Sequence, residues 1–248
     1  MTRRQYKNAP IQEALCEFHF VPGPEWDVTV VGKLHDRVKE IYDGKAKQQD
    51  VVTANLTVAK DGGPPAFAMN RNYGKTQFPS LDGRRLLAVG PDLLSVHGFA
   101  PYEGWEALKP RIASALEHYA EVAQPEGVRR IGVRYVNRVV IPEETVDLAA
   151  YFLCSPVDVD GLPETISGFV QRSEYDYGNH VRLLLTFAST PSERAGESTF
   201  LLDVDVIWED QGAELDRAME IVEDLRCRER DAFEALVSDA LREIFDAA

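Results

Sequence analysis

Apolar and polar residues alternate in several parts of this chain, and each such run predicts a β-strand with one buried face. The first run extends from Ala14 to Phe20. Later runs or short apolar stretches cover about 51–58, 66–69, 75–78, 84–89, 93–99, 128–141, 167–175, 181–188 and 200–208. Turn signals such as Leu81-Asp82-Gly83 and Gly178-Asn179 separate neighbours. The short spacings favour an antiparallel sheet over alternating β-α-β units.

Three longer stretches place apolar residues at helical spacing instead. They cover 26–42, the region from Trp105 past Leu116, and 214–245. Pro110 falls within the second stretch, so that helix either kinks there or begins there. A continuous third helix would measure about 48 Å at 1.5 Å per residue, and the sequence allows a break near Cys227. A short helix is also predicted over 145–153.

The elements occur twice in the order β-α-(several β)-α, once in 1–124 and once in 125–248. No residue motif is shared, so only the order of elements repeats. The sequence therefore predicts the α+β class. Its two halves form either two tightly associated domains or a single domain, and their antiparallel sheets can join into one continuous curved sheet with helices on one face. A fold of this kind implies no function by itself.

Composition and charge narrow the class of partner. The 248 residues are 44% hydrophobic and 27% charged, as in an ordinary globular protein, and carry a formal net charge of -14. That balance argues against general nucleic-acid binding and against an anionic membrane surface, both of which attract basic residues. The N-terminal basic residues precede no apolar stretch, and the three cysteines form no Cys-x-x-Cys pair, which together predict a cytoplasmic protein with reduced thiols.

The negative charge is concentrated near the C-terminus: residues 203–248 carry -10 and the first 202 carry -4. One interpretation is the solvated outer side of an amphipathic helix. The other is an acidic surface that steers a basic protein partner. The apolar stripe of the same helical region could instead bind a second copy and form a homodimer.

A charged sheet face is the main candidate site. Arg130, Arg134 and Arg138 have the same parity and project from one side of their predicted strand. On other predicted strands, the charged residues that alternate with apolar residues in a similar way are Glu13, Glu17, Arg182, Asp203 and Asp205. If these strands share a sheet, one face carries interleaved acids and arginines.

Two interpretations of this face stay open. It is either a solvated surface with cross-strand ion pairs, each worth about 0.2–1 kcal/mol, or a groove that binds a carboxylate, a phosphate or an acidic segment through bidentate contacts. In the second case Arg130, Arg134 and Arg138 contact the anion, and Glu13, Glu17, Asp203 and Asp205 orient them.

No cofactor, metal or catalytic residue is predicted. Gly74-Lys75-Thr76 resembles the end of a phosphate-binding loop, but Met69 stands where that loop needs glycine and a strand follows. No histidine pair has a metal-binding spacing, and the sequence contains no Gly-x-Gly-x-x-Gly or Gly-x-Ser-x-Gly. Asn8 precedes a proline bend, where its side chain is expected to tie down the chain.

Three blocks resemble a sporadically distributed bacterial family of unknown function, over essentially the whole chain. They are Tyr6-Lys7-Asn8-Ala9-Pro10-Ile11-Gln12-Glu13-Ala14 with Glu17-Phe18, then Arg130-Ile131-Gly132-Val133-Arg134-Tyr135-Val136-Asn137-Arg138, and finally Leu202-Asp203-Val204-Asp205-Val206 with Phe233-Glu234 and Leu241-Arg242-Glu243. The sequence departs from the family pattern where a Leu-His pair is usual, since Arg226 follows Leu225 here. A sporadic distribution implies a mobile gene, as in defence or toxin–antitoxin modules.

These observations lead to two hypotheses. The first is a non-enzymatic interaction protein that holds a protein or peptide partner. A more specific form of this hypothesis places the protein in a mobile bacterial defence or toxin–antitoxin module. The alternative is a small-anion or nucleotide sensor, or an enzyme with a dispersed site, that uses the arginine-lined face. A deep pocket with convergent polar groups and a perturbed carboxylate favours the alternative.

Overall fold

The computed structural model describes residues 4–57, 66–154, 156, 161 and 166–247. Within them, nine strands form one sheet: β1 (Ile11–Val21), β2 (Lys47–Thr57), β3 (Ala66–Pro79), β4 (Arg85–Gly90), β5 (Leu93–Phe99), β6 (Gly127–Ile141), β7 (Val170–Gly178), β8 (Val181–Thr190) and β9 (Ser198–Ala213). Five helices accompany it: α1 (Thr29–Val38), α2 (Trp105–Ala123), α3 (Leu148–Tyr151), α4 (Ala218–Leu236) and α5 (Asp239–Asp246). None of these helices is long and apolar enough to span a membrane.

The sheet is antiparallel, curved and continuous through both halves, in the order β2-β3-β4-β5-β1-β6-β9-β8-β7. The first strand of each half lies at the centre, where β1 pairs with β6 and Cys16 lies opposite Val133. The predicted α+β class and antiparallel sheet are confirmed. The proposed division into domains at residue 124 stays a prediction.

Alternation along the central strands produces the hydrophobic core. Ala14, Cys16, Phe18 and Phe20 of β1 have no exposed surface, and they pack with α1 and α2 residues such as Leu34 and Ile112. In the second half, residues of α4 and α5 pack with those of β6, β8 and β9 in the same core. The helices thus cover one face of the sheet, as predicted, and leave the charged residues of the central strands on the other.

Several predicted boundaries were wrong in detail. The stretches 66–69 and 75–78 belong to one strand, β3, and Val58, the predicted end of β2, lies outside the described residues. Helix α2 begins at Trp105 and continues through Pro110.

The terminal helical region is interrupted after Leu236 and not near Cys227, which lies inside α4. Val237 has extended backbone and forms an isolated antiparallel bridge with Phe152. Ser238 then caps α5, because its hydroxyl accepts a hydrogen bond from the Leu241 amide at 3.2 Å. The apolar side of both helices is buried in this chain's own core. A homodimer therefore stays a prediction that this buried stripe does not support.

Candidate functional site

The arginine face, defined as the sheet face that carries Arg130, Arg134 and Arg138, lies opposite the helices. Strand pairing brings the predicted residues together: Arg130 lies opposite His19 and Glu209, and Arg134 lies opposite Leu15 and Asp205. The predicted grouping of arginines and acids on one face is therefore present.

Each predicted arginine already has a carboxylate partner. Arg134 makes a bidentate contact with Asp203, from Nε at 2.8 Å and Nη2 at 2.6 Å. The other pairs are Arg130 with Glu17 at 3.0 Å, Arg138 with Glu193 at 3.1 Å, and Arg182 with Glu209 at 2.8 Å. An external anion would have to compete with these carboxylates for the same guanidinium donors.

Two acids on this face have opposite pKa shifts. Burial opposes the ionisation of Glu17, but hydrogen bonds and charges from His19 and Arg130 outweigh it and lower the pKa to about 2. Burial raises the pKa of Asp205 to about 6, although Arg134 and Arg130 act against the rise. Glu17 therefore stabilises the face as a carboxylate, while Asp205 approaches neutrality below pH 6.

A serine–histidine–glutamate chain also crosses the arginine face, and the sequence analysis missed it. His97 bridges the two others, with Nε2 2.8 Å from the Ser95 hydroxyl and Nδ1 2.7 Å from the Glu13 carboxylate. The distances match those of a nucleophile, a base and an orienting acid. Ser95 has 0% exposure, however, so a substrate carbonyl does not reach its hydroxyl. We interpret this chain as structural.

A cavity of about 780 Å³ lies on the opposite side of the sheet. We call it the α2–α4 cavity, because those helices form two of its walls. The N-terminal segment forms a third wall, and β6 supplies Tyr135 and Asn137 from the sheet. The lining includes apolar and aromatic residues, namely Tyr6, Pro10, Tyr102, Trp105 and Phe233.

Hydrogen bonds hold the N-terminal wall in place at both ends. The Asn8 side chain donates to the Ala247 carbonyl at 2.6 Å, and the Arg138 amide donates to the Pro10 carbonyl at 2.8 Å. The Tyr6 hydroxyl donates to Glu234 of α4 at 2.9 Å. The predicted structural role of Asn8 is confirmed.

Arg226 of α4 is the central charge of the cavity. Its guanidinium carbon lies 4.3 Å from the centre of the Tyr135 ring and 5.6 Å from that of Trp105. Its Nη1 donates to Glu229, one helical turn away. Among the described residues this is the one hydrogen bond that the guanidinium makes, and Arg226 lines the cavity. Its Nε and Nη2 are therefore further donors that a ligand in the cavity could engage.

Glu229 is buried more deeply than any other acid of this site, with 3% of its side chain exposed. Burial raises its pKa to about 7, and the charges of Arg226 and Arg230 limit the rise. A carboxyl group with such a pKa changes its protonation state around neutral pH, which is frequent at functional sites.

Two tyrosines and an asparagine add fixed polar groups. The hydroxyls of Tyr102 and Tyr135 lie 2.8 Å apart, so one donates to the other and the second keeps a free proton. Asn137 is buried, and its Nδ2 donates to the carbonyls of Tyr135 and Leu202. These bonds fix the polar floor beneath Arg226.

The N-terminus of α2 also lines the cavity, at Gly104, Trp105 and Glu106. Gly104 has φ of 94°, which suits glycine, and no side chain caps this helix end. The amides of Ala107 and Leu108 donate to the Gly104 carbonyl, whereas those of Trp105 and Glu106 come before the first helical hydrogen bond, and the helix dipole is positive here.

Five carboxylates line the same cavity, and four of them have partners. Glu103 pairs with Arg85 at 2.6 Å, Glu223 with Lys109, Glu234 with Arg242 at 3.1 Å, and Glu229 with Arg226. Glu106 is exposed at the rim. Four of the five carboxylates are thus already paired with a cation of this chain.

The sequence analysis noted Arg226 only as a departure from the family pattern, and it assigned no site to Arg226, Glu229 or the tyrosine pair. One signal was present: Glu229 continues the buried series Val222 and Leu225 at helical spacing, so a carboxyl group lies in an apolar stripe. Tyr6, Tyr135 and Phe233, one from each of the three blocks that carry the family resemblance, line this one cavity.

No protein-family model matches this chain, and no curated protein is similar to it. The family resemblance of the three blocks therefore stays a prediction. Within the described residues, no group of histidine, cysteine and acidic side chains has the arrangement of a metal site.

Proposed function

We propose that this protein is a non-catalytic binding protein that holds a small molecule in the α2–α4 cavity. The observation that carries the proposal is the largely buried Arg226, which lies against two aromatic rings, lines a cavity of about 780 Å³ and uses only Nη1 in its hydrogen bond to Glu229. Small-molecule sites generally fall within about 300–1,000 Å³ and combine apolar walls with a few fixed polar groups. The perturbed Glu229 adds a second property typical of such sites.

This proposal keeps the sensor hypothesis and moves its site from the arginine face to the opposite side of the sheet. Arg134 is less suited to an external anion, because Asp203 already occupies its Nε and Nη2, and Arg130, Arg138 and Arg182 also pair with acids of this chain. Arg226 pairs with Glu229 as well, but it lines a cavity that also has aromatic walls. Docking of a basic protein partner on the acidic C-terminal region stays a prediction. Three free cysteines support a reducing compartment such as the cytoplasm.

Native mass spectrometry after incubation with a cell extract tests the proposal. We expect the wild-type protein to retain an adduct in the mass range of a metabolite, and the Arg226→Gln variant to lose it. The double variant Arg134→Gln/Arg138→Gln is the matched control and should retain the adduct. Loss of the adduct only from the double variant would show that the ligand binds at the arginine face. A wild-type protein without any adduct would refute the proposal.

A further inference from the structure

The chemistry of the α2–α4 cavity also indicates which ligand it takes. We propose that the ligand carries a carboxylate or phosphate group, that this group binds Arg226 beside the N-terminus of α2, and that Glu229 is protonated in the complex. This inference rests on the proposed function, since it specifies the ligand of the same site.

The available donors support an anion. Arg226 lines the cavity and uses Nη1 for Glu229, which leaves Nε and Nη2, and two parallel guanidinium donors match the two oxygens of a carboxylate or phosphate. The uncapped first turn of α2 adds backbone amides and a positive dipole. The free hydroxyl proton of the Tyr102–Tyr135 pair is a further donor.

The walls define the rest of the ligand. The Trp105 ring and the edge formed by Tyr6 and Phe233 present apolar surface around the charged centre. A planar or aromatic body fits such walls through stacking and burial. The chemical class is therefore an aromatic or similarly flat carboxylate or phosphate ester.

The contact between Arg226 and Glu229 explains why Glu229 takes up a proton when the ligand binds. An incoming anion and the Glu229 carboxylate are like charges that share one guanidinium, and both are removed from water. Taking one proton from solvent onto Glu229 removes this repulsion and leaves Arg226 to the ligand. The groups that interact with Glu229 are Arg226 and Arg230 on α4, Tyr135 on β6 and Tyr102 before α2, and Arg4 and Tyr6 of the N-terminal segment line the same cavity.

None of these neighbours replaces Glu229 as the proton acceptor. The arginines remain charged, and the pKa of Tyr6 is raised to about 12 by burial and by Glu234. Burial also raises the pKa of both Tyr102 and Tyr135. Glu229, with a pKa of about 7, is the group that titrates near neutrality.

Titration calorimetry with three ring-bearing probes tests the inference: benzoate and phenyl phosphate as anions, and benzylamine as the matched cation. We expect both anions to bind and benzylamine to bind at least tenfold more weakly. The pH series uses benzoate, whose own charge is constant from pH 6 to pH 8. Its dissociation constant should rise about tenfold over that range, since binding takes up a proton wherever Glu229 is ionised in the free protein.

Two variants and one control complete the experiment. Glu229→Gln should bind benzoate with an affinity that no longer depends on pH, and Arg226→Gln should lose at least tenfold in affinity. Arg228→Gln is the control, because Arg228 lies on the same helix and pairs with Asp224 at 2.7 Å outside the cavity.

Preferential binding of benzylamine, or benzoate binding with the same pH dependence in wild type and Glu229→Gln, would overturn the inference while leaving a small-molecule site in place. A native adduct that proves to be uncharged would do the same. A protein that binds none of the probes and retains no adduct would contradict the proposed function itself.

Discussion

Arg226 lies with its guanidinium carbon 4.3 Å from the centre of the Tyr135 ring. This contact joins α4 to the sheet strand β6 and places a largely buried cation in the lining of the α2–α4 cavity. A guanidinium on an aromatic face keeps its edge free for other acceptors, which an ion pair alone would not ensure. The tyrosine ring therefore positions the donors on which the proposed site depends.

Replacing Tyr135 tests this positioning role. Tyr135→Leu removes the buried ring, so we expect the free energy of unfolding to fall by about 2–4 kcal/mol. Tyr135→Phe keeps the ring and removes only the hydroxyl that meets Tyr102, for which we expect a loss of about 1 kcal/mol. Urea denaturation measures both values. Equal losses in the two variants would show that the ring contributes nothing beyond its hydroxyl.

The raised pKa of Glu229 predicts a specific dependence of stability on pH. In the folded state Glu229 holds its proton up to a pKa of about 7, whereas in the unfolded chain a glutamate loses it near the ordinary pKa of 4.5. The folded state therefore binds more protons between these values, and the stability contributed by protonated Glu229 falls as pH rises through this window, by up to about 3 kcal/mol.

A comparison with Glu229→Gln isolates the stability that protonated Glu229 contributes, because glutamine does not titrate. We expect the unfolding free energy of the variant, relative to wild type, to increase from pH 4.5 to pH 7 and to level off above it. Denaturant titrations at several pH values provide the measurement. A difference that is constant across this window would mean that Glu229 ionises normally in the folded protein.

A double-mutant cycle on Arg134 and Asp203 measures the strength of the arginine face. The pair is bidentate but Arg134 is 43% exposed, so we expect a coupling of about 1 kcal/mol that decreases in high salt. The variants are Arg134→Gln, Asp203→Asn and the double substitution. The more exposed pair Arg182–Glu209 serves as the control and should give a smaller coupling. An absent Arg134–Asp203 coupling would mean that Asp203 does not hold this arginine.

Ser95 provides a test against hydrolytic chemistry. Its hydroxyl is 2.8 Å from His97 but has no exposure. We expect a fluorophosphonate reagent to leave the folded protein unlabelled, as judged by intact-mass spectrometry, with Ser95→Ala as the background control. A covalent adduct at Ser95 would show that the face opens, and would restore the hypothesis of an enzyme with a dispersed site.

The side-chain tie of Asn8 predicts a modest effect on stability. Asn8→Ala removes the bond to the Ala247 carbonyl, and we expect a loss of about 1 kcal/mol in unfolding free energy. Lys7→Ala is the neighbouring control, because Lys7 is exposed. Similar losses in both variants would show that the Asn8 bond is unimportant.

The sheet could be predicted from sequence because period-two alternation directly encodes which side of a strand is buried. Ala14, Cys16, Phe18 and Phe20 all face the core as expected. The parity argument likewise placed Arg130, Arg134 and Arg138 on one face. The break of the last helix was misplaced because its cause, the bridge between Val237 and Phe152, joins residues far apart in sequence.

The α2–α4 cavity was missed for a related reason. Its walls come from the N-terminal segment, the start of α2, β6 and α4, which only the tertiary structure brings together. Arg226 and Glu229 look like ordinary members of a charged helix when only the apolar positions are counted. Sheet order and helix packing decide that this pair faces Tyr135 and not solvent.

A crystal structure of the protein soaked with benzoate at pH 6 tests the central claim most directly. The account predicts the carboxylate within hydrogen-bonding distance of Arg226 Nε and Nη2, with its ring against Trp105, and no such density in crystals of Arg226→Gln. Benzoate bound instead to Arg134 or Arg138 on the opposite side of the sheet, or saturable binding in solution with an empty α2–α4 cavity, would contradict it.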